Sequence, residues 1–244
     1  MLPQALVRKL YQSGRLKHYI PGLGKVFWGD LRRTSPFSTS FGYDRGGPVD
    51  RYYIGGFLEK HASHIRGRVL EIGDNQYILL FGNGKVTQSD ILHIDGKNAK
   101  ATIIGDLVDL QQVAGASFDC IILTQTLHLI FDFEAALETC YRILAEEGVL
   151  LLTVPGITNI DQGEWGKTWY WSFTVTSIRR LMTGIFGGKN IHVEGYGNIL
   201  SATAFLYGMG AEEISTREKD SHDPHYPVIV AAMGTKRGNR PSMD

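Results

Sequence analysis

Short strand-like runs, most of them apolar, that stop at a glycine, an acid or a polar cluster recur through the middle of the chain. Residues 68–72 run into Gly73, residues 86–89 into Asp90 and residues 101–104 into Gly105-Asp106. Residues 118–123 then run into Thr124-Gln125-Thr126, and residues 149–154 into Pro155-Gly156. Near-continuous apolar strands of this length are buried on both faces, as in a parallel sheet. Between the fourth and fifth runs, Phe133, Ala136, Leu137, Cys140, Tyr141 and Leu144 recur at helical spacing, with Asp132 as N-cap and Gly148 as the stop. A strand–helix–strand unit of that length makes a right-handed crossover. Several in series predict an α/β fold with a doubly wound, mostly parallel sheet. Further on, residues 200–207 read as a helix, residues 227–233 as a strand and the last ten residues as a frayed tail.

The first 40 residues break this rhythm. They hold seven basic residues (Arg8, Lys9, Arg15, Lys17, Lys25, Arg32, Arg33) and one acid, Asp30. Two readings stand: a solvated helix and linker packed on the main domain, or a basic arm that touches an anionic acceptor or a membrane surface. The whole chain balances 25 Lys+Arg against 25 Asp+Glu, which argues against a protein built to hold a nucleic-acid backbone. Hydrophobic residues at 43% and charged residues at 20% exclude a disordered chain. Two cysteines, Cys120 and Cys140, cannot form a disulfide framework and read as small core residues. No apolar run reaches the ~18 residues of a membrane span, and the start lacks the apolar stretch of a signal peptide. A cytoplasmic setting is the expectation.

In open α/β sheets, ligands bind beyond the carboxyl ends of the strands, which puts Gly73, Asp90, Asp106 and residues 124–126 on one rim. Asp90 follows Glu71 by 19 positions, near the spacing at which an acid grips a ribose diol. Asp106 ends the next strand, where it can face an adenine edge. A dinucleotide needs bare glycine backbone against its pyrophosphate. Here the turn reads Gly73-Asp74-Asn75-Gln76, with an acid where phosphate would lie. A nucleoside cofactor without phosphates, cationic at its other end, suits these residues better. A nicotinamide dehydrogenase suits them worst.

At these positions the chain resembles the class I S-adenosyl-L-methionine (SAM)-dependent methyltransferases. The resemblance runs through residues 69–73, 89–90, 105–106, 118–122, 135–137, 142–144 and 147–151, in the family's order. It implies a seven-stranded Rossmann-like methyltransferase sheet with an N-terminal extension and an aromatic-rich insertion after the fifth strand. Residues 44–54, 71–74, 122–127, 154–157, 170–174 and 222–228 resemble, more narrowly, a bacterial group found beside or fused to glycosyltransferases of surface-polysaccharide biosynthesis. That implies a saccharide or glycan-linked acceptor, transfer to oxygen and a glycosyltransferase partner. Domain bounds follow: a basic extension over 1–40, a methyltransferase domain over 41–235 with an acceptor-side insertion at 157–190, and a flexible tail over 236–244.

Carried over residue by residue, the resemblance puts Glu71, Gly73 and Asp74 at the methionine end of SAM, Asp90 on the ribose, Asp106 and Leu107 at the adenine, and Gln125 near the sulfonium. Two positions depart from the family: Asn75 stands where a second glycine is usual, and the histidine after the fourth strand is shifted to His128.

A neutral alcohol must lose its proton during transfer. The candidate bases are His128, ranked first, then Asp161, Glu164 and His192. Five of the nine residues 165–173 are aromatic. Among them, Trp165, Trp169 and Trp171 suit either stacking on an apolar sugar face or a packed lid. Arg45 and Arg51 suit an anionic group on the acceptor, or structural pairing with Asp44 and Asp50. His222 and His225 flank Asp223-Pro224 without a further ligand cluster, so no metal is expected. The alternative to an enzyme is a SAM- or nucleoside-binding scaffold, without catalysis, that partners a glycosyltransferase.

Overall fold

A computed structural model describes residues 3–16 and 19–238. The chain divides into two units, Met1–Ser35 and Pro36–Asp244. The first holds helix α1 (Gln4–Gln12) and a 3-10 turn (Gly29–Leu31), and none of its described residues is buried. Segment 36–40, expected with the extension, belongs to the second unit, where the Phe37 N–H donates to the Tyr207 carbonyl at 2.7 Å. Residues 239–244 of the expected tail lie outside the described residues.

The second unit is built on one seven-stranded sheet. Its strands are β1 (Gly67–Ile72), β2 (Val86–His93), β3 (Ile103–Ile104), β4 (Phe118–Thr124), β5 (Leu144–Pro155), β6 (Ile191–Tyr196) and β7 (Ile229–Thr235). They lie in the order β3-β2-β1-β4-β5-β7-β6. The first five are parallel, and β7 runs antiparallel between β5 and β6. This is the doubly wound, mostly parallel architecture that the apolar runs predict.

Side-chain alternation explains why those runs are continuous. In β4, Cys120 and Ile122 join one core while Ile121 and Leu123 join the other; in β5, Val149 and Leu151 oppose Leu150 and Leu152 in the same way. Both sheet faces must therefore be covered. One is packed by α4 (Phe133–Ile143) and α5 (Val175–Phe186), through Ala136, Leu137, Cys140, Ile178, Met182 and Phe186. The other is packed by α2 (Val49–Lys60) and α6 (Ile199–Leu206), through Tyr53, Ile54, Phe57, Leu58 and Phe205. Both cysteines are free and fully buried, and burial pushes the Cys140 thiol up to about 12.

Three boundaries differ from the pattern's expectation. β2 runs past Asp90 to His93, because Ile91 and Leu92 continue its buried stretch. Helix α4 ends at Ile143, and Leu144 already pairs with Phe118. Gly148 is not a helix stop: it lies inside β5, where a Cβ would stand 2.8 Å from the Ala145 carbonyl oxygen and 3.0 Å from that of Phe118. Short connections complete the unit: α3 (Gln76–Phe81) after β1, and α7 (Thr216–Lys219) before β7. At the sheet's edges, β3 has two residues, while β6 carries Glu194, which pairs with Lys60 (3.1 Å) and His192 (3.2 Å).

Asp132 caps α4 as its place in the sequence predicts, with Oδ1 accepting from the Ala135 N–H at 3.1 Å. Replacing it with alanine leaves that donor unpaired. Asp132→Ala should lower unfolding free energy by about 1 kcal/mol, measured by urea denaturation, with no change in the denaturant slope.

Candidate functional site

The strand order reverses between β1 and β4, so the connections leaving them diverge to opposite faces and open a crevice at their carboxyl ends. A cavity of about 680 Å³ fills it, within the range of small-molecule sites. Its walls come from the turn after β1 (Gly73, Asp74, Gln76, Tyr77), the ends of β2 and β3 (His93, Ile94, Gly105, Asp106, Leu107) and the turn after β4 (Gln125, Thr126, His128). Asp50 and Arg51 of α2, with Phe41 and Tyr43 before it, close one side. Asp161, Glu164, Trp165 and Trp169 of the insertion close another.

The first turn is organised by acids. Gly73 adopts φ +92°, a left-handed conformation suited to glycine, and a Cβ there would meet nothing within 4 Å. The Glu71 carboxylate, 1% exposed, accepts from the backbone N–H groups of Tyr77 (3.1 Å) and Ile78 (2.8 Å). Asp74 accepts from the Gln76 N–H at 3.0 Å. The donors at the start of α3 are thus taken by side-chain oxygens of Glu71 and Asp74, so a phosphate would find no free N–H there and would meet the acid at Asp74. Burial pushes the Glu71 carboxyl up to about 8, against the pull of its two N–H donors.

Strain marks the opposite wall. Gln125 adopts φ +45° where β4 ends, held there by its N–H donating to the Thr153 carbonyl at 2.8 Å. Such a conformation costs a non-glycine residue about 1 kcal/mol or more. Polar atoms on the cavity wall also lack a protein partner: Asp50 Oδ1, Gln125 Nε2 and both ring nitrogens of His128. Leaving such buried atoms unpaired costs roughly 1–3 kcal/mol each, which sets these three residues apart on the wall.

His128 is 2% exposed, and burial lowers its pKa to about 4, so the ring is neutral at physiological pH. The Trp169 indole packs edge-on to it at 4.3 Å between centroids, and Phe41 stacks on Trp169 at 6.1 Å. The backbone carbonyl of His128 accepts from the N–H groups of Tyr170 (3.1 Å) and Trp171 (3.3 Å), which fixes the insertion to the turn after β4.

Of the residues expected at the site, Glu71, Gly73, Asp74, Asp106, Leu107, Gln125, His128, Arg51, Trp165 and Trp169 line this cavity, as do Asp161 and Glu164. Asp90, Arg45, Trp171 and His192 do not. Asp90 lies within β2 rather than at its tip, and its buried carboxylate accepts from Arg68 (2.8 Å), Gln88 (3.0 Å) and Thr102 (2.9 Å). Its expected ribose contact is corrected: it is a strut between strands. Arg45 is held by Glu213 through two bonds, at 2.6 and 3.0 Å. Trp171 donates its indole N–H to the carbonyls of Ile130 (3.0 Å) and Phe131 (3.2 Å), and packs on Phe133. His192 sits on edge strand β6.

Asp50, Phe41, Tyr43 and Tyr77 were not foreseen on the wall, nor Asp95 beside it. Asp95 follows the tip of β2, next to wall residues His93 and Ile94; it accepts from the Lys97 N–H (3.0 Å) and pairs with Lys97 Nζ (3.1 Å). The apolar pair Ile91-Leu92 was the signal that moves the strand end, and with it the tip acid, from Asp90 to Asp95. Among the described residues, no group of three or more His, Cys, Asp or Glu side chains is arranged to hold a metal ion. No helix among them is long and apolar enough to cross a membrane.

Residues 77–152 match the family model of a methyltransferase domain. An 81-residue stretch is 33% identical to a Dictyostelium discoideum protein described as a polyketide synthase, and covers 32% of this chain and 3% of that one. A second polyketide synthase of the same organism is 36% identical over 64 residues, again 3% of its length. The chain thus spans a few per cent of the curated relatives it matches. Among solved structures, a SAM-dependent methyltransferase from Archaeoglobus fulgidus is similar with a TM-score of 0.51 at 12% identity, covering 76% of this chain and 94% of that one. Phosphoethanolamine N-methyltransferase 2 of Haemonchus contortus, solved with S-adenosyl-L-methionine, gives 0.51 at 14% identity and covers 88% of this chain and 61% of that one. At these identities the shared property is the fold.

Two outcomes test the placements. Asp90→Ala should destabilise the protein by about 2 kcal/mol, between the values of exposed and buried ion pairs, yet leave affinity for any cavity ligand within threefold; parallel urea melts and calorimetric titrations measure both. The folded pKa of His128 lies below its unfolded value of 6.5, so its contribution is present above pH 6.5 and lost as pH falls toward 4. The full shift corresponds to about 3 kcal/mol. His128→Phe should flatten the acid limb of a stability–pH curve over that window.

Proposed function

We propose that the second unit transfers a methyl group from S-adenosyl-L-methionine to a hydroxyl of a saccharide or glycan-linked small acceptor. One observation carries the reading: a single cavity joins a first turn that refuses phosphate to a neutral, unbonded histidine ring. The match of residues 77–152 to a methyltransferase domain supports it.

The wall suits the parts of that cofactor in order. Asp106 and Leu107 offer a carboxylate and an apolar side chain to an adenine. Asp95, beside the wall rather than on it, stands in place of Asp90 as the tip acid for the ribose hydroxyls. Gly73 allows close backbone approach at the methionine end. Asp50 and Arg51 face the cavity beside it as an ion pair (3.3 Å), a charge pattern complementary to an α-amino acid. Gln125, with its unpaired Nε2, stands on the β4 side.

When bound, the cofactor supplies an electrophilic methyl on a sulfonium. The protein's part is alignment, exclusion of water and removal of one proton. Trp165, Trp169 and Phe41 present rings against which an apolar sugar face packs. A hydroxyl held there can donate to an unbonded ring nitrogen of His128. Both ring nitrogens are buried and without a protein partner, and on methyl transfer one of them would take the hydroxyl proton and later release it to water. The low pKa of the ring keeps it unprotonated and ready to accept, but also makes it a weak base. That weakness favours one second reading, a binding scaffold without transfer that partners a glycosyltransferase. A cytoplasmic setting suits either role.

Calorimetry with SAM tests the shared claim. Asp106→Ala and Asp95→Ala should each weaken binding at least tenfold, about 1.4 kcal/mol, while Asp90→Ala does not; absence of binding to the wild-type protein overturns the assignment. Methyl transfer from radiolabelled cofactor to cell-envelope saccharides should fall by about a hundredfold or more in His128→Ala with cofactor affinity kept. Binding without transfer to any such acceptor would favour the scaffold.

A further inference from the structure

Charge is divided between the two units. Residues 1–35 carry seven basic residues and one acid, a formal +6; the remaining 209 carry 18 basic residues and 24 acids, a formal −6. The division falls at the boundary that the chain's contacts draw. A neutral protein is thus a basic segment joined to an acidic one, a distribution that its overall charge conceals.

The basic segment is also apolar where it is open. Ile20 is 91% exposed, Leu23 fully and Phe27 70%; Val26 and Trp28 are exposed as well. No described residue of this unit is buried, so these side chains have no core to join. Helix α1 sets Leu6, Val7, Leu10 and Tyr11 beside Arg8 and Lys9. The Arg8 guanidinium lies 4.6 Å from the centroid of the Phe27 ring, so cation and aromatic share one surface.

We propose that residues 1–35 dock the protein on an anionic lipid surface. Basic side chains are attracted to acidic headgroups, each contributing about fivefold in partitioning. Phe, Trp and Leu side chains enter the boundary between headgroups and acyl chains. A nucleic acid would satisfy the charges and leave Ile20, Leu23 and Phe27 in water. A second copy of this segment would bring like charges together. The lipid surface answers both properties at once. The inference stands apart from the reaction proposed for the second unit, since it draws on none of the cavity residues.

The experiment is co-sedimentation of the full-length protein with vesicles of phosphatidylcholine, with and without about one-third phosphatidylglycerol. Binding to the acidic vesicles only is expected, weakening with salt. Lys25→Gln with Arg32→Gln should lower partitioning by roughly tenfold or more, and Phe27→Ser with Trp28→Ser by a similar factor. Trp28 is the one tryptophan of this segment, so its blue shift on binding should vanish from the difference spectrum in Trp28→Phe. Unchanged circular dichroism would show that the variants act on docking rather than folding. Failure to sediment, equal binding to neutral vesicles, or indifference to Phe27→Ser with Trp28→Ser would each overturn the proposal. So would tighter retention on a homopolymeric RNA than on acidic vesicles, or vesicle-independent self-association lost in the same variants.

Discussion

A sheet that is apolar on both faces leaves its strands little room for polar groups except at their ends, and the one such carboxylate inside β2, Asp90, is occupied by Arg68, Gln88 and Thr102. Cys120 and Ile122 look one way and Ile121 and Leu123 the other, into two cores to which helices also contribute. The buried stretch of β5 has no polar side chain except Thr153. Polar groups therefore gather where the strands stop, and the reversal of order between β1 and β4 decides which tips face open space. The cavity, the left-handed turn at Gly73 and the strained turn at Gln125 all depend on that reversal.

Within the cavity the charges serve two purposes. Glu71 and Asp74 spend their hydrogen bonds on the N–H groups that open α3, so they build the turn and leave none of those donors free. Asp50, Gln125 and His128 keep atoms unpaired. The stack of Phe41, Trp169 and His128 joins three distant stretches of sequence at one wall, and the His128 carbonyl ties the insertion to it.

The central fold was legible because burial on both faces writes itself as near-continuous apolar runs in β4 and β5, while β2 and the two-residue β3, more polar or more exposed, were placed by the acid or glycine that follows each run. Strand β6, reading Ile-His-Val-Glu-Gly-Tyr, carries polar residues at alternate positions as an edge strand should, and gave no such run. Helix α2 hides behind Gly55-Gly56, which are poor helix formers, and is held by Tyr53, Ile54, Phe57 and Leu58 in the core. Candidate residues next to a glycine or a strand end, such as Asp74, Asp106 and Gln125, line the cavity. Asp90 was misplaced because an acid inside a parallel strand looks like a strand end until its partners, Arg68 and Thr102, are seen across the sheet. Arg45 and Trp171 look like ligand-binding residues by type; Glu213, more than 160 positions away, and the carbonyls of Ile130 and Phe131 claim them instead. Such long-range partners leave no local trace in a sequence.

Strand β7 lies between β5 and β6 although it is the last of the seven to be made. During synthesis, β6 emerges with no neighbour to pair with, and β5 has one flank bare, until residues 229–235 leave the ribosome and slot between them. The half of the sheet that bears the cavity's central strands can assemble earlier, from contacts closer in sequence. The nascent protein must therefore carry an exposed, unpaired ribbon edge from the completion of β5 at Pro155 until β7 begins at Ile229, the stage at which chaperone contact or misassociation has its best chance to intervene.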